Sequence, residues 1–348
     1  MVEKIKLKFT EKLTLAILNK NSRLSNKNIA ELVGISPERC FYLIESLQKR
    51  KIISCFKTGI DLRKLGYENY TVYFRLKKVS REIEAETLDL FTKNPYITWV
   101  GKMFGSYDFR CIITVTDTLT LNRVLAELSE KLDHNISAIM IFNRLERKAV
   151  DNMFYLLDSK EEIAKLSKVL SKIENFQYKD IGSFSFDTKD IEIIKSIYLN
   201  SQETYTNIAR KLGISIEDVR IRYKKILTKG IINGYTISIN HTSLGYLWWT
   251  LLIKKTNLDF NTFASEVLSL KESHNIMSVM HEHWNFEITF STKTLYEAQE
   301  YIFALREKCP DILQYETLLN SEQLKIPQAS PELLDMYAKR SSINSKDI

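Results

Sequence analysis

The stretch MHEHWNFE, Met280 to Glu287, puts two imidazoles and a carboxylate at His281, Glu282 and His283, in a chain with 5 histidines in all. Such residue types can hold a divalent metal or move protons as general acid and base. An HxH pair gives two ligands, and a metal needs a third and usually a fourth. The remaining candidates, Glu282, His274 and His241, have no spacing that compels them together. The cysteines, Cys40, Cys55, Cys111 and Cys309, are scattered with no CxxC pair, which argues against a zinc ribbon or a disulfide framework and fits inert thiols in a reduced, cytoplasmic setting. The expectation is therefore no metal and no cofactor. What the histidines do depends on the elements that carry them.

A chain of 348 residues exceeds one ordinary core and implies several domains. Its 44% hydrophobic and 27% charged residues are those of a globular protein rather than a disordered one. A net charge of +7 is compatible with a nucleic-acid partner without requiring one. No stretch has the roughly 18–20 apolar residues of a membrane span, and the charged start MVEKIKLKFTEKL lacks the apolar core of a signal peptide. No membrane partner is expected.

The chain repeats itself. IAELVGIS, Ile29 to Ser36, returns as IARKLGIS, Ile208 to Ser215, 179 positions later, and residues 21–67 match 200–246 without a gap at 15 of 47 positions. Chance gives roughly one in twenty, so the unit is duplicated. Each copy begins with three helical patterns. Leu13, Ile17 and Leu18 stripe the first, and Ser25 caps a second that stops at Gly34. Ser36-Pro37 starts a third, whose buried face is Cys40, Ile44 and Leu47. Helix, glycine turn, helix is the helix-turn-helix pattern, although any αα-hairpin shares the spacing. Alternating strands and helical stripes follow in the order βαββαβ, the ferredoxin-like split, in both copies. A helical run with Ile163, Leu166, Leu170 and Ile173 joins the copies, and the polar end from Pro327 onward is expected to fray.

Together these residues resemble the Lrp/AsnC (feast/famine) transcription regulators, in a tandem-duplicated form. IAELVGISPERC with KRKIISCF, IARKLGIS with KGIINGYTISIN, and Gly105-Ser106-Tyr107-Asp108 carry the resemblance. It implies an α+β fold: two winged helix-turn-helix domains (1–67 and 187–246) alternating with two ferredoxin-like, RAM-type effector domains (68–147 and 247–320). A connector at 148–186 and a tail at 321–348 complete the plan. It also implies double-stranded DNA as partner, pairing through the sheets, and an amino-acid effector. Pairing as a homodimer and as an intrachain pseudo-dimer both remain open.

On this reading the third helices carry the DNA contacts. The candidates are Ser36, Arg39 and Tyr42 in copy one and Ser215, Arg220, Arg222, Lys224 and Lys225 in copy two. Phe41, Leu43, Glu45 and Ser46 occupy the copy-one positions of those four cations. Copy two is expected to supply most of the attraction, with copy one either weaker at DNA or used for protein contact through Phe41 and Leu43 packed against another domain. Removing Lys224 and Lys225 is expected to flatten the salt dependence of binding by about two units. The effector candidates are Gly105, Tyr107 and Asp108, with His283, Trp284 and Asn285 opposite them in copy two, where Glu282 replaces the glycine. MHEHWNFE thus falls on a hairpin between the second and third strands. No catalytic residue is expected. The alternatives are an interaction scaffold without DNA and a tetrapyrrole (sirohaem-type) decarboxylase on the same plan, with His281 and His283 as its acid–base pair.

Overall fold

The computed structural model describes residues 5–150, 153–174, 186–325 and 331–344. Copy one opens with α1 (Phe9–Lys20), α2 (Asn26–Val33) and α3 (Pro37–Lys49), and copy two with α7 (Thr188–Leu199), α8 (Tyr205–Leu212) and α9 (Ile216–Thr228). The helix starts follow from local chemistry. Ser25 Oγ accepts the Asn28 N–H at 3.2 Å, and Thr204 Oγ1 does the same for Asn207 at 3.1 Å. Gly34 and Gly213 end α2 and α8 at φ +78° and +63°, where a Cβ is disfavoured.

The two heads are joined by their wings. β1 (Ile53–Ile60) and β6 (Ile232–Ile239) pair antiparallel, with Ile53 opposite Ile239 and Ile60 opposite Ile232. The Asp61 N–H donates to the Ile231 carbonyl at 2.8 Å, and the Asn240 N–H to that of Ile52 at 3.0 Å. These are equivalent positions of the two copies, so a local two-fold axis relates the heads. Ser22 and Ser201, also equivalent, share a buried 2.7 Å hydrogen bond between their hydroxyls. The copies therefore pair within one chain.

Copy one continues with β2 (Glu68–Leu76), α4 (Arg81–Lys93), β3 (Ile97–Phe104), β4 (Phe109–Val115), α5 (Thr118–Lys131) and β5 (Ile136–Ala149). Copy two continues with β7 (Leu247–Lys255), α10 (Phe260–Ser269), β8 (Ser273–Met280), β9 (Phe286–Thr292), α11 (Leu295–Lys308) and β10 (Ile312–Lys325). The two sheets close edge to edge into one barrel, in the order β10-β3-β4-β2-β5-β8-β9-β7. Closure leaves no unpaired strand edge. Helices cover the outside, where Phe91, Val124 and Leu128 pack in copy one and Phe263, Val267 and Leu305 in copy two. Tyr73, Met103, Phe142, Leu252, Met277 and Trp284 form a separate cluster where the two sheets meet.

The stretches that follow the two copies both contain a helix, as the sequence reading expects after copy one but not after copy two. The helical run with Leu166 and Leu170 is α6 (Lys160–Leu170), which packs on α1; residues 175–185 of the connector lie outside the described residues. The tail expected to fray instead forms α12 (Pro331–Asn344), which packs on α7 with Leu333 and Leu334 fully buried; residues 326–330 and 345–348 are outside the described residues. Each of these segments is also met by a tyrosine that lies just ahead of the other copy's first barrel strand. Tyr246 Oη donates to the Tyr155 carbonyl just before α6 at 2.9 Å, and Tyr67 Oη to the Leu333 carbonyl at 2.7 Å. Leu333 and Leu334 are followed four residues later by Tyr337 and Ala338, which pack on the same core, a helical spacing that the sequence reading missed.

Candidate nucleic-acid interface and adjoining cavity

Both third helices face outward, but with different surfaces. On α9, Arg222 turns back onto the head. It donates to Asp187 at 2.7 Å, to Asp190 at 2.8 Å and to Asp218 at 3.2 Å. Lys225 Nζ reaches the other oxygen of Asp190 at 2.5 Å. Asp190 is fully buried, and a buried carboxylate needs counter-charge. The hydrogen bond to Asp187, then burial working against it, then the bond to Asp190 raise the Arg222 pKa overall. Burial pushes the Asp187 carboxyl up, but Arg222 outweighs it and the net shift is down. Arg220 and Lys224 remain outward, Arg220 with a loose 3.3 Å contact to Glu217.

On α3 the outward groups are aromatic. Phe41 and Tyr42 are 52% and 66% exposed and meet edge to face at 5.6 Å. Arg39 is exposed beside them. The expectation that Phe41 packs against another domain is not met within this chain, whereas Leu43 does pack on its own head's core. Ser36 and Ser215 serve as helix caps, accepting the Arg39 N–H at 3.3 Å and the Asp218 N–H at 3.0 Å.

The effector candidates lie at the two β hairpins. Asp108 Oδ2 accepts the Leu76 N–H at 2.8 Å, and Asn285 Oδ1 accepts the equivalent Lys255 N–H at 3.0 Å. Both side chains therefore tie a hairpin to the neighbouring strand. Gly105 sits at φ +137°, where a Cβ would come within 3.0 Å of the Leu318 side chain. Tyr107 packs on Tyr73 at 5.5 Å, Trp284 is buried in the cluster between the sheets, and His283 meets Trp284 edge to face at 4.6 Å. His281 Nδ1 accepts the backbone N–H groups of His283 and Trp284 at 3.1 and 3.2 Å. Its imidazole thus closes the turn that Gly105 makes in copy one. Burial lowers its pKa, against a smaller opposing pull from Glu282. Among the described residues no group of three or more potential ligands could hold a metal ion.

His241 and His274 do come together. His274 Nε2 lies 2.7 Å from Ser291 Oγ, which lies 3.1 Å from His241 Nδ1. His241 stacks between Tyr155 and Trp248, at 5.6 and 5.5 Å. Burial holds His241 neutral, its pKa lowered to about 4, and drives His274 well below the usual histidine value. Both line a cavity of about 520 Å³ between the paired wings and the barrel. Lys20, Lys57, Arg110 and Arg147 also line it, and among the described residues no Asp or Glu does. Neither His281 nor His283 lines it, so the acid–base pair of the enzymatic alternative is not assembled there.

Arg110 also holds the local axis. It is ion-paired with fully buried Glu287, which in turn accepts a 2.8 Å hydrogen bond from Tyr73 Oη. Arg110 and Glu287 are equivalent positions in β4 and β9, facing Tyr73 and its equivalent Leu252. The sequence reading missed this pair. Its only signal was opposite charge at positions 177 apart.

Known proteins match the parts and the whole. The profile of the winged helix-turn-helix DNA-binding family matches residues 10–54. The HTH-type transcriptional regulator LrpA of Pyrococcus horikoshii is 47% identical over 60 residues, 17% of this chain and 43% of the relative's length. The transcriptional regulator AzlB of Bacillus subtilis is 30% identical over 114 residues, 32% of this chain and 73% of AzlB. The siroheme decarboxylase NirDL shares the fold from end to end, with TM-score 0.61 over 96% of this chain and 100% of its own, at 13% identity. The protein is a tandem winged helix-turn-helix protein with ferredoxin-like domains. The chain belongs to the Lrp/AsnC family, in a duplicated form. No helix among the described residues is long and apolar enough to cross a membrane.

Proposed function

We propose that the protein is a DNA-binding transcription regulator that carries both reading heads of a dimer in one polypeptide. One observation carries this reading. Two helix-turn-helix heads are fixed to each other by the β1–β6 wing pair, and both third helices are left facing solvent, with Arg220 and Lys224 outward on α9. Cations so placed on a recognition helix suit phosphate contacts, and Arg220 suits a guanine edge. Arg222 and Lys225 are assigned to holding the head together, through Asp190, and Ser36 and Ser215 to helix capping. Arg39 and Tyr42 make a weaker contact from α3.

The hairpin residues Gly105, Tyr107, Asp108, His283, Trp284 and Asn285 are read as shaping the hairpins, since the polar side chains of Asp108 and Asn285 bond backbone. An amino-acid effector at that loop is therefore not part of the proposal. The test is fluorescence anisotropy on a library of genomic duplex fragments at several salt concentrations. Selective, salt-sensitive binding is expected. Equal, weak binding to every fragment, unchanged by Arg220→Ala with Lys224→Ala, overturns the reading.

A further inference from the structure

We propose that the cavity between the wings and the barrel is a binding site for a planar, conjugated small molecule bearing several negative charges. Lys57 on β1, with Lys20, Arg110 and Arg147, brings four cations to a cavity that has no carboxylate among its described lining residues. Lys57 makes no ion pair among the described residues, and burial, opposed by Cys55 and reinforced by Arg147, depresses its amine. Arg110 is only 5% exposed, and although it pairs with Glu287, its Nε has no hydrogen-bond partner. Leaving a buried guanidinium N–H unmet is unfavourable unless an acceptor fills it.

The shape of the cavity suits a flat ligand. Tyr155, His241 and Trp248 form a stack of nearly parallel rings, with interplanar angles of 23° and 16°, and Trp99 stands edge-on to Trp248 at 6.0 Å. The stack offers a flat apolar wall, and the cations offer fixed positive charge. A volume of about 520 Å³ is that of a small-molecule site. The imidazoles of His241 and His274, held neutral by their burial, add polarity to the wall without charge. A zwitterionic amino acid suits this lining poorly, because none of its described residues is an acid that could meet the ammonium group.

The binding claim stands without DNA. Its consequence for regulation rests on the proposed function: β1 and β6 both line the cavity, so a ligand there holds the two heads in one relative position.

The test uses the full chain without DNA, with 1,3,6,8-pyrenetetrasulfonate as fluorescent probe, followed by anisotropy and by quenching of tryptophan emission. Saturable binding is expected, competed by benzene-1,3,5-tricarboxylate and not by uncharged 1-pyrenemethanol. Lys57→Gln should weaken it at least about tenfold, the size of one lost charge-assisted contact. Trp248→Leu should weaken it and reduce the quenching, while the exposed Lys93→Gln should leave it unchanged. Melting curves establish that each variant is folded. No saturable binding, or binding that Lys57→Gln leaves unchanged, or equal competition by the uncharged ring or by L-leucine, overturns the proposal. The same probe added to a DNA titration reads the coupling separately, so a failure of DNA binding does not obscure the result at the cavity.

Discussion

The two copies share a backbone plan and differ in where their charge lies. In copy one, the acid of the first helix, Glu11, is met by Arg50 at the far end of α3, so α3 needs no cation in its middle. In copy two the corresponding Asp190 takes Arg222 and Lys225 from the middle of α9. Copy two therefore looks more basic in sequence than it is on its surface. In the barrel the contrast is between equivalent positions: Arg110 in copy one faces Glu287 in copy two across the local axis. Two identical subunits would put like charges there. A covalently joined, diverged pair can put unlike charges there, and this pair does. Charge in this molecule is read correctly only after asking what each group faces.

Breaking the axial pair should have the largest effect. Arg110→Glu opposes two buried carboxylates, and removing one partner of a buried pair typically costs about 3–5 kcal/mol. Urea unfolding should show the loss, and Arg110→Glu with Glu287→Arg should recover most of it. A double variant no better than the single one would mean that the pair's geometry, rather than its complementarity, matters.

Next comes the division of labour on α9. Arg220→Ala with Lys224→Ala should reduce the slope of log affinity against log salt by about two units while the melting temperature holds. Arg222→Ala with Lys225→Ala should do the reverse, lowering the melting temperature because Asp190 is left without counter-charge. Arg39→Ala should change the slope by about one unit at most. If the two double variants behave alike, the inward and outward assignment fails.

The histidines sharpen the comparison further. His241 corresponds to Leu62 in copy one, and by strand pairing His274 corresponds to Thr98. Both imidazoles have lowered values in the fold, so the unfolded chain binds protons first as the pH falls. Their contribution is complete above the ordinary histidine value of about 6.5 and declines as pH drops below it, for His241 toward about 4. Denaturation midpoints measured from pH 7.5 to 4.5 should fall, and His241→Leu with His274→Thr, which install the copy-one residues, should flatten that decline.

The smallest effect belongs to Asp158, whose carboxyl is held down at about 2 by hydrogen bonds from Lys12 and Lys293, one from each copy. Its stabilisation is present above the ordinary aspartate value and is lost as pH falls toward about 2. Because Asp158 is 59% exposed, the effect should be slight and screened by salt. Asp158→Asn should remove the difference between low-salt and high-salt midpoints on the acid side.

Much of this architecture was legible along the chain. The 179-residue repeat, Gly34 and Gly213 as helix stops, Ser36 and Ser215 as caps and the βαββαβ order are all local, and a local pattern fixes a local conformation. The hairpin position of MHEHWNFE was legible too, by aligning one copy with the other. The direction of a side chain was not. Arg222 and Arg220 lie on one helix, two residues apart, and the carboxylates that Arg222 meets, Asp187, Asp190 and Asp218, separate their roles. His241 and His274 are 33 positions apart and meet because β8 and the turn before β7 converge on Ser291. Residue type, spacing and self-similarity thus determined the modules and their order. Packing alone decided the pairing of wings, the closure of the barrel, the docking of α12 and the cation-lined cavity, because each depends on contacts between segments far apart in the chain, whose geometry no short stretch encodes.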